Sequence, residues 1–245
     1  MPEKKKYILI VVEGPSDRTS LENALRKLLN DIGSKRNLEI DVVHGDLFTV
    51  DKQKKLIPYN KEEENVSEQI QKKIKELHLK PEDIIAISMI TDLDACFVPV
   101  DFFKENPDFE KAHYDIDLNI CEKKDIENLL LMRRKKLSVL KRMHNKSHIN
   151  VGGRLIKYHL FYLNVDLEWV FHSKINQSKL EKMNLSEEFD EEYGDDTEKF
   201  LSFINSLPTK NTDYLKSWDA VFNGEIEPLE KATNIQQLID WISAI

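Results

Sequence analysis

Two short acidic clusters are the parts of this sequence most able to carry out chemistry. Glu13 and Asp17 form the first, and Asp92 and Asp94 form the second. Each cluster directly follows a short apolar run, which predicts that it leaves the end of a buried strand. If the two strands are parallel neighbours, the four carboxylates converge. Like charges that close together require protonation or a bound cation, and Mg²⁺ prefers oxygen ligands, so the clusters predict a divalent metal site.

The spacing inside each cluster suits a shared ion. Gly14 allows a sharp turn out of the strand, and Asp17 follows Glu13 by four residues, in the predicted first turn of a helix. Asp92 and Asp94 are two residues apart, so in extended backbone they project to the same side. A divalent ion held there would orient a phosphodiester, neutralise charge on its oxygens and lower the pKa of a water molecule. The predicted chemistry is phosphoryl transfer.

The segments around the clusters predict a β-α-β-α-β unit. Apolar residues at three-and-four spacing after the first cluster indicate a helix that begins near an N-cap at Ser16 and ends at Gly33. A strand at 38–43, a helix at 66–77 and a nearly continuous apolar strand at 84–90 follow. Such strands are typical of parallel sheets covered on both faces, whose ligands bind at the carboxyl ends of the strands. Both acidic clusters fall at that edge.

The whole chain is predicted to be an α/β protein with a central, mainly parallel sheet flanked by helices. Residues 1–172 are assigned to this core, with a largely helical insertion at about 97–152. Residues 173–245 are assigned to a helical C-terminal extension. Within the extension, the acidic stretch 187–196 is predicted to be an exposed loop between helices.

The composition argues against two classes of protein. With a net charge of −8 over 245 residues, the chain lacks the basic surface needed to coat nucleic acid by bulk electrostatics. This charge does not exclude a local basic groove. No run reaches the roughly 18 apolar residues of a membrane helix, and the first apolar run is too short for a signal peptide. We expect a cytoplasmic protein that does not associate with membranes.

The order of the clusters resembles a known family. A Glu-Gly after the first strand, here Glu13-Gly14, and an Asp-x-Asp after the third, here Asp92 and Asp94, resemble the topoisomerase-primase (Toprim) domain over roughly residues 5–98. The extended form Glu-Gly-x-Ser/Thr-Asp, which ends at Asp17, looks like Toprim nucleases of the overcoming-lysogenization-defect class and their small relatives in bacterial anti-phage systems. The resemblance implies a Toprim-like, Rossmann-like sheet and a nuclease that uses one or two Mg²⁺ or Mn²⁺ ions.

The resemblance also implies roles for individual residues. Catalytic roles fall to Glu13, Asp92 and Asp94, and the implied metal ligands are Glu13, Asp17, Asp92 and Asp94 with one further acid downstream. Glu168 is the first candidate for that acid because it follows a predicted strand at 155–165, and Glu127 is the second. The sequence departs from the family pattern at Asn164, where a small hydroxyl residue is expected.

A basic run on a predicted helix at 125–143 offers a place for phosphates. Its members are Arg133, Arg134, Lys135, Lys136, Lys141 and Arg142. They predict a phosphate groove for DNA or RNA, although a charged run on a helix is also typical of a solvated face.

Two other functions stay open at this point. Asp92 and Asp94 also resemble the nucleophile motif of haloacid-dehalogenase-type phosphatases, in which the first Asp is phosphorylated and the second acts as acid and base. That motif normally opens its fold, whereas here it follows about ninety residues. The third hypothesis is a regulatory subunit that keeps the carboxylates but acts through a partner. Small chains of the anti-phage class commonly work beside an ATPase, and a homo-oligomer is a further possibility.

Overall fold

A computed structural model describes most of the chain. The described residues are 5–32, 37–42, 57–58, 61–109, 112–115, 120–122 and 126–245. The predicted helix end at Gly33 lies outside them. None of the helices in these segments is long and apolar enough to cross a membrane.

Strands and helices alternate along the first half of the chain, and helices dominate the last third. The strands are β1 (Tyr7–Val12), β2 (Asn37–Val42), β3 (Ile84–Asp92), β4 (Phe103–Glu105), β5 (His113–Tyr114), β6 (Ile120–Glu122), β7 (His148–Val151) and β8 (Arg154–Leu163). The helices are α1 (Pro15–Asp31), α2 (Glu62–Glu76), α3 (Ile126–Met143), α4 (Leu167–His172), α5 (Lys179–Tyr193), α6 (Thr197–Ser206), α7 (Tyr214–Phe222) and α8 (Ile235–Ala244).

The main sheet has the strand order β2-β1-β3-β8-β7. The first four of these strands are parallel, and β7 pairs antiparallel with β8 at the edge. This confirms the predicted α/β class with a mostly parallel sheet flanked by helices. Because β2 and β3 lie on opposite sides of β1, the chain reverses its direction of travel across the sheet at β1. Open α/β sheets bind their ligands at such switch points.

Strand β1 positions the first acidic cluster beside the second. It pairs in parallel with β3, with Val11 opposite Met89, so the two strands end close together. Helix α1 starts at Pro15 with Gly14 as its N-cap, which corrects the predicted cap at Ser16. The physical reason is that proline is preorganised for the first helical position, where its missing N–H is not needed. Asp17 then completes the helix start, since its Oδ2 accepts a hydrogen bond from the Gly14 N–H at 2.9 Å.

Helices cover the sheet on both faces. Alternate residues of β1 point to opposite sides, so Leu9 and Val11 pack with α2, α3 and α7, whereas Ile8 and Ile10 pack with α1, α4, α5, α6 and α8. All four of these side chains are fully or almost fully buried. The continuous apolar character that the sequence displays at β1 and β3 therefore reflects a sheet in the middle of three layers.

The predicted insertion at 97–152 is only partly helical. It contains α3, but it also contains a small sheet in the order β4-β6-β5, and its end supplies β7, the edge strand of the main sheet. The small strands have two or three residues each, too few to show the alternation by which strands are recognised in a sequence. The helical description of this segment was therefore wrong for residues 103–105, 113–114 and 120–122, which form strands.

The C-terminal segment 173–245 is helical, as predicted, but it shares the hydrophobic core of the sheet. Trp218 of α7 is fully buried, and its Nε1 donates a hydrogen bond to the Leu160 carbonyl on β8 at 3.1 Å. The predicted acidic loop at 187–196 was wrong for residues 187–193, which belong to α5. That helix buries only Ser186 and Phe189, so it has almost no apolar stripe to reveal it.

Candidate functional site

A cleft of about 450 Å³ opens where β1 and β3 end. It is lined by Glu13, Gly14, Pro15, Ser16, Asp17, Asp92, Gln177, Lys179, Lys182 and Met183. The structure thus brings together three of the predicted site residues, namely Glu13, Asp17 and Asp92. The other lining residues come from α5 and the segment just before it.

Glu13 is held by contacts from two directions. The Thr91 hydroxyl on β3 donates to Glu13 Oε1 at 2.5 Å. The Lys136 ammonium on α3 lies 3.5 Å from the same oxygen. Thr91 and Lys136 are both 1% exposed, so these contacts come from the protein interior, and Glu13 also lines the cleft.

Asp94 occupies a different environment from Asp92. Its Oδ2 lies 2.7 Å from Lys136 Nζ and 3.0 Å from an Arg133 nitrogen. Burial alone would raise the pKa of Asp94, but the two cations outweigh it and lower the pKa to about 2. The backbone of Asp94 is left-handed, with φ of 49°, so the extended backbone on which the predicted same-side projection of Asp92 and Asp94 depends is not present there. Asp94 does not line the cleft.

Asp17 and Asp92 are the uncompensated carboxyl groups of the site. Burial, followed by repulsion from Glu168, raises the pKa of Asp17 to about 7. Burial, followed by repulsion from Glu13 and Asp17, holds the pKa of Asp92 well above its ordinary value. Within the described part of the chain, neither group forms an ion pair. Each would therefore be stabilised in its charged form by a cation in the cleft.

A second carboxylate pair follows β8. Asp166 is the N-cap of α4 and accepts a hydrogen bond from the Trp169 N–H at 2.9 Å. Glu168 lies in the first turn of the same helix and is 1% exposed. Lys182 of α5 joins the two, with Nζ 2.8 Å from Asp166 Oδ2 and 2.6 Å from Glu168 Oε2. Burial lowers the pKa of Lys182, but the two carboxylates raise it above its usual range overall.

The loops after β3 and β8 are joined and strained. The Leu93 N–H donates to the Leu163 carbonyl at 2.8 Å, and the Asp94 N–H donates to the Val165 carbonyl at 3.3 Å. Val165 has φ of 65°, a conformation that is a genuine outlier for a β-branched residue. Asn164, which departs from the family pattern, is fully buried, and its backbone N–H donates to the Ala232 carbonyl at 3.0 Å. Asn164 thus anchors the strained loop to the C-terminal segment.

The basic run on α3 does not form one exposed strip. Arg133 and Lys136 point inward to Asp94, and Arg142 pairs with Glu62 at 2.6 Å. Arg134 and Lys141 are exposed, and Lys135 is half-buried; the Lys141 ammonium lies over the Phe222 ring. Half of the predicted groove is therefore used in ion pairs inside the protein.

The two candidates for a downstream acid have different positions. Glu168 lies beside the cleft, where its charge acts on Asp17. Glu127 is exposed in the first turn of α3 and does not line the cleft. Sequence reasoning missed Thr91, Asp166 and Lys182 as members of the site. Asp166 had a signal, since it precedes Glu168 at the strand end, whereas Lys182 had none because its helix carries no apolar stripe.

The side chains of the cleft suit a divalent ion in chemistry and charge, but they are not arranged as a complete coordination site. The donors are carboxylate oxygens, and Glu168 Oε1 is buried with no hydrogen-bond partner among the described residues. In the same segments, no three side chains of His, Cys, Asp or Glu stand close enough together to hold a metal ion as they are. The ligands would have to rotate toward an ion, so we expect moderate rather than very tight affinity.

We predict that Asp17→Asn stabilises the chelator-treated protein in a pH-dependent way. Since the folded-state pKa of Asp17 is about 7 and the unfolded value is about 4, the wild type loses stability as pH rises from 4 to 7. Asparagine removes this loss, which is at most about 4 kcal/mol. The melting temperature of the variant should exceed that of the wild type at pH 7.5, and the gap should shrink at pH 5. The exposed Asp101→Asn is the control; an equal gap at both pH values would contradict the assignment.

No protein-family model, curated protein or solved structure matches this chain. The function is therefore inferred from the site itself.

Proposed function

We propose that this protein is a nuclease that cleaves phosphodiester bonds of DNA or RNA with Mg²⁺ or Mn²⁺, in the manner of small Toprim enzymes. The observation that carries the proposal is the convergence of Glu13, Asp17 and Asp92 on one cleft at the switch point of the sheet. The resemblance in the sequence extends the proposal to a cytoplasmic role in anti-phage defence, beside an ATPase or as a homo-oligomer.

Glu13, Asp17 and Asp92 are the residues that would hold the ion. When bound, a divalent ion supplies Lewis-acid polarisation of the phosphodiester and activation of water. Thr91 and Lys136 orient Glu13, and Lys136 with Arg133 keeps Asp94 ionised and fixed. Asp94 then acts as a positioning residue for the two cations rather than as a ligand.

The wall formed by α5 is suited to the nucleic acid. Lys179 is exposed in the first turn of that helix, and both Lys179 and Gln177 line the same cleft as the carboxylates. A lysine there can contact a phosphate while the scissile group faces Asp92, as recognition of the nucleic-acid backbone requires. The exposed Arg134 and Lys141 of α3 are further phosphate contacts in this proposal.

The phosphatase reading receives no support from the geometry. It requires Asp94 to give and take a proton near neutral pH. Arg133 and Lys136 hold the pKa of Asp94 at about 2, which makes it a poor acid in that range. Acyl-phosphate labelling of Asp92 would restore this reading.

The test is a cleavage assay with purified protein. Plasmid, linear duplex, single-stranded DNA and structured RNA are each incubated with Mg²⁺, with Mn²⁺ or with chelator. We expect cleavage of at least one substrate with metal and none with chelator. Absence of cleavage with every metal and substrate, together with tight binding of a partner protein, would instead support the regulatory hypothesis.

A matched pair of variants excludes a contaminating nuclease. Glu13→Gln should lower the cleavage rate at least tenfold because it removes a negatively charged metal ligand from the cleft. Glu127→Gln makes the same chemical change at an exposed glutamate outside the cleft and should leave the rate unchanged. Equal rates for the two variants would contradict the proposed site.

A further inference from the structure

The carboxylates beside the cleft fall into three groups according to their cations. Asp94 is paired with Arg133 and Lys136 on the α3 side, and Glu13 lies 3.5 Å from the same lysine. Asp166 and Glu168 are both paired with Lys182 on the α5 side. Between them, Asp17 and Asp92 have no ion pair in the described segments, and both line the cleft.

Lys182 has the position and contacts of a bound cation. Its ammonium bridges one oxygen of Asp166 and one of Glu168, at 2.8 and 2.6 Å, and it also lines the cleft that holds Asp17. Its side chain is 31% exposed, whereas that of Glu168 is only 2% exposed. A divalent ion at this pair would meet the lysine charge within a few ångströms, where repulsion is weakly screened.

We propose that the Lys182 ammonium takes the place of a second divalent ion, so that the chain binds a single ion, at Glu13, Asp17 and Asp92. This inference rests on the proposed metal dependence. It assigns Glu168, which the sequence offered as a metal ligand, to an internal ion pair. Glu168 Oε1 is buried without a hydrogen-bond partner in the described structure, so removal of the lysine frees both oxygens of a carboxylate beside Asp166.

The test counts bound Mn²⁺ by electron paramagnetic resonance of the free ion during titration. We expect one Mn²⁺ per wild-type chain and two per Lys182→Met chain. Lys182→Arg keeps the charge and should bind one. Lys179→Met is the matched control, because it removes an exposed lysine from the same cleft, and it should also bind one.

A second variant keeps the test decisive if Lys182→Met does not fold, as circular dichroism would reveal. Glu168→Gln should keep the single ion at wild-type affinity, whereas a glutamate that binds metal would lose affinity on this change. Two ions per wild-type chain, one ion in folded Lys182→Met, or weakened binding in Glu168→Gln would each overturn the inference and leave the metal-dependent nuclease standing. No Mn²⁺ binding by the wild type would instead overturn the proposed function.

Discussion

Asp92→Asn should remove metal-dependent cleavage almost completely, by about 10³-fold, while leaving the fold intact. The residue ends β3, lines the cleft and has no competing ion pair among the described residues, so its charge is available to a metal ion. Loss of a metal ligand removes several kcal/mol of transition-state stabilisation, and about 4 kcal/mol corresponds to this rate change. The measurement is the initial rate of cleavage at saturating Mn²⁺, with Asp101→Asn as the control.

The same substitution should raise the melting temperature in chelator. Burial and the repulsion of Glu13 and Asp17 make the ionised form of Asp92 unfavourable, and asparagine has no charge to repel. In a chain of this size each kcal/mol relieved corresponds to roughly 2–4 °C. An inactive variant that is more stable than the wild type is the signature of a functional carboxylate. An inactive variant that melts lower would indicate a structural role instead.

Trp218→Ala should lower the free energy of unfolding by about 3–5 kcal/mol, the usual loss for a large aromatic residue in a core. Its ring is fully buried between α7 and the sheet, and its Nε1 donates to the Leu160 carbonyl. The measurement is urea unfolding followed by far-ultraviolet circular dichroism. We expect a single transition at lower urea, because the C-terminal helices share the core of the sheet.

Trp241→Ala is the matched control for this prediction. Trp241 lies in α8 and packs against His159 and Phe161, but it is only half-buried. Its loss of stability should be clearly smaller than that of Trp218→Ala. A separate early transition in Trp218→Ala, with the main transition unmoved, would show that residues 173–245 are an independent unit.

The sequence predicted the elements whose patterns are long and continuous. The apolar runs of β1 and β3 specify buried parallel strands, and the carboxylates that follow them must lie at the same edge of the sheet. Once β1 pairs with β3, this pattern brings Glu13 and Asp92 together. These features depend on local periodicity, which a single sequence contains.

The features that the sequence did not reveal depend on contacts between distant residues. Lys182 comes from a helix that buries only Ser186 and Phe189, so no stripe indicated that it would reach the site. Lys136 belongs to a basic run that is typical of a solvated face, yet Asp94 and Glu13 hold it inside the protein. The left-handed turn at Asp94 was hidden as well, because it is fixed by the hydrogen bond to Val165.

The anchoring of Asn164 has a consequence for biosynthesis. Its side-chain amide donates to the carbonyls of Glu227 and Glu230, and its backbone N–H donates to Ala232. These partners are more than sixty positions downstream, so a ribosome must extend the chain well past α7 before the loop that carries Asp166 can take its final shape. Domains fold as their parts emerge during translation. A growing polypeptide therefore contains β1, β3 and their carboxylates long before it contains the residues that hold the loop of Asp166 in place.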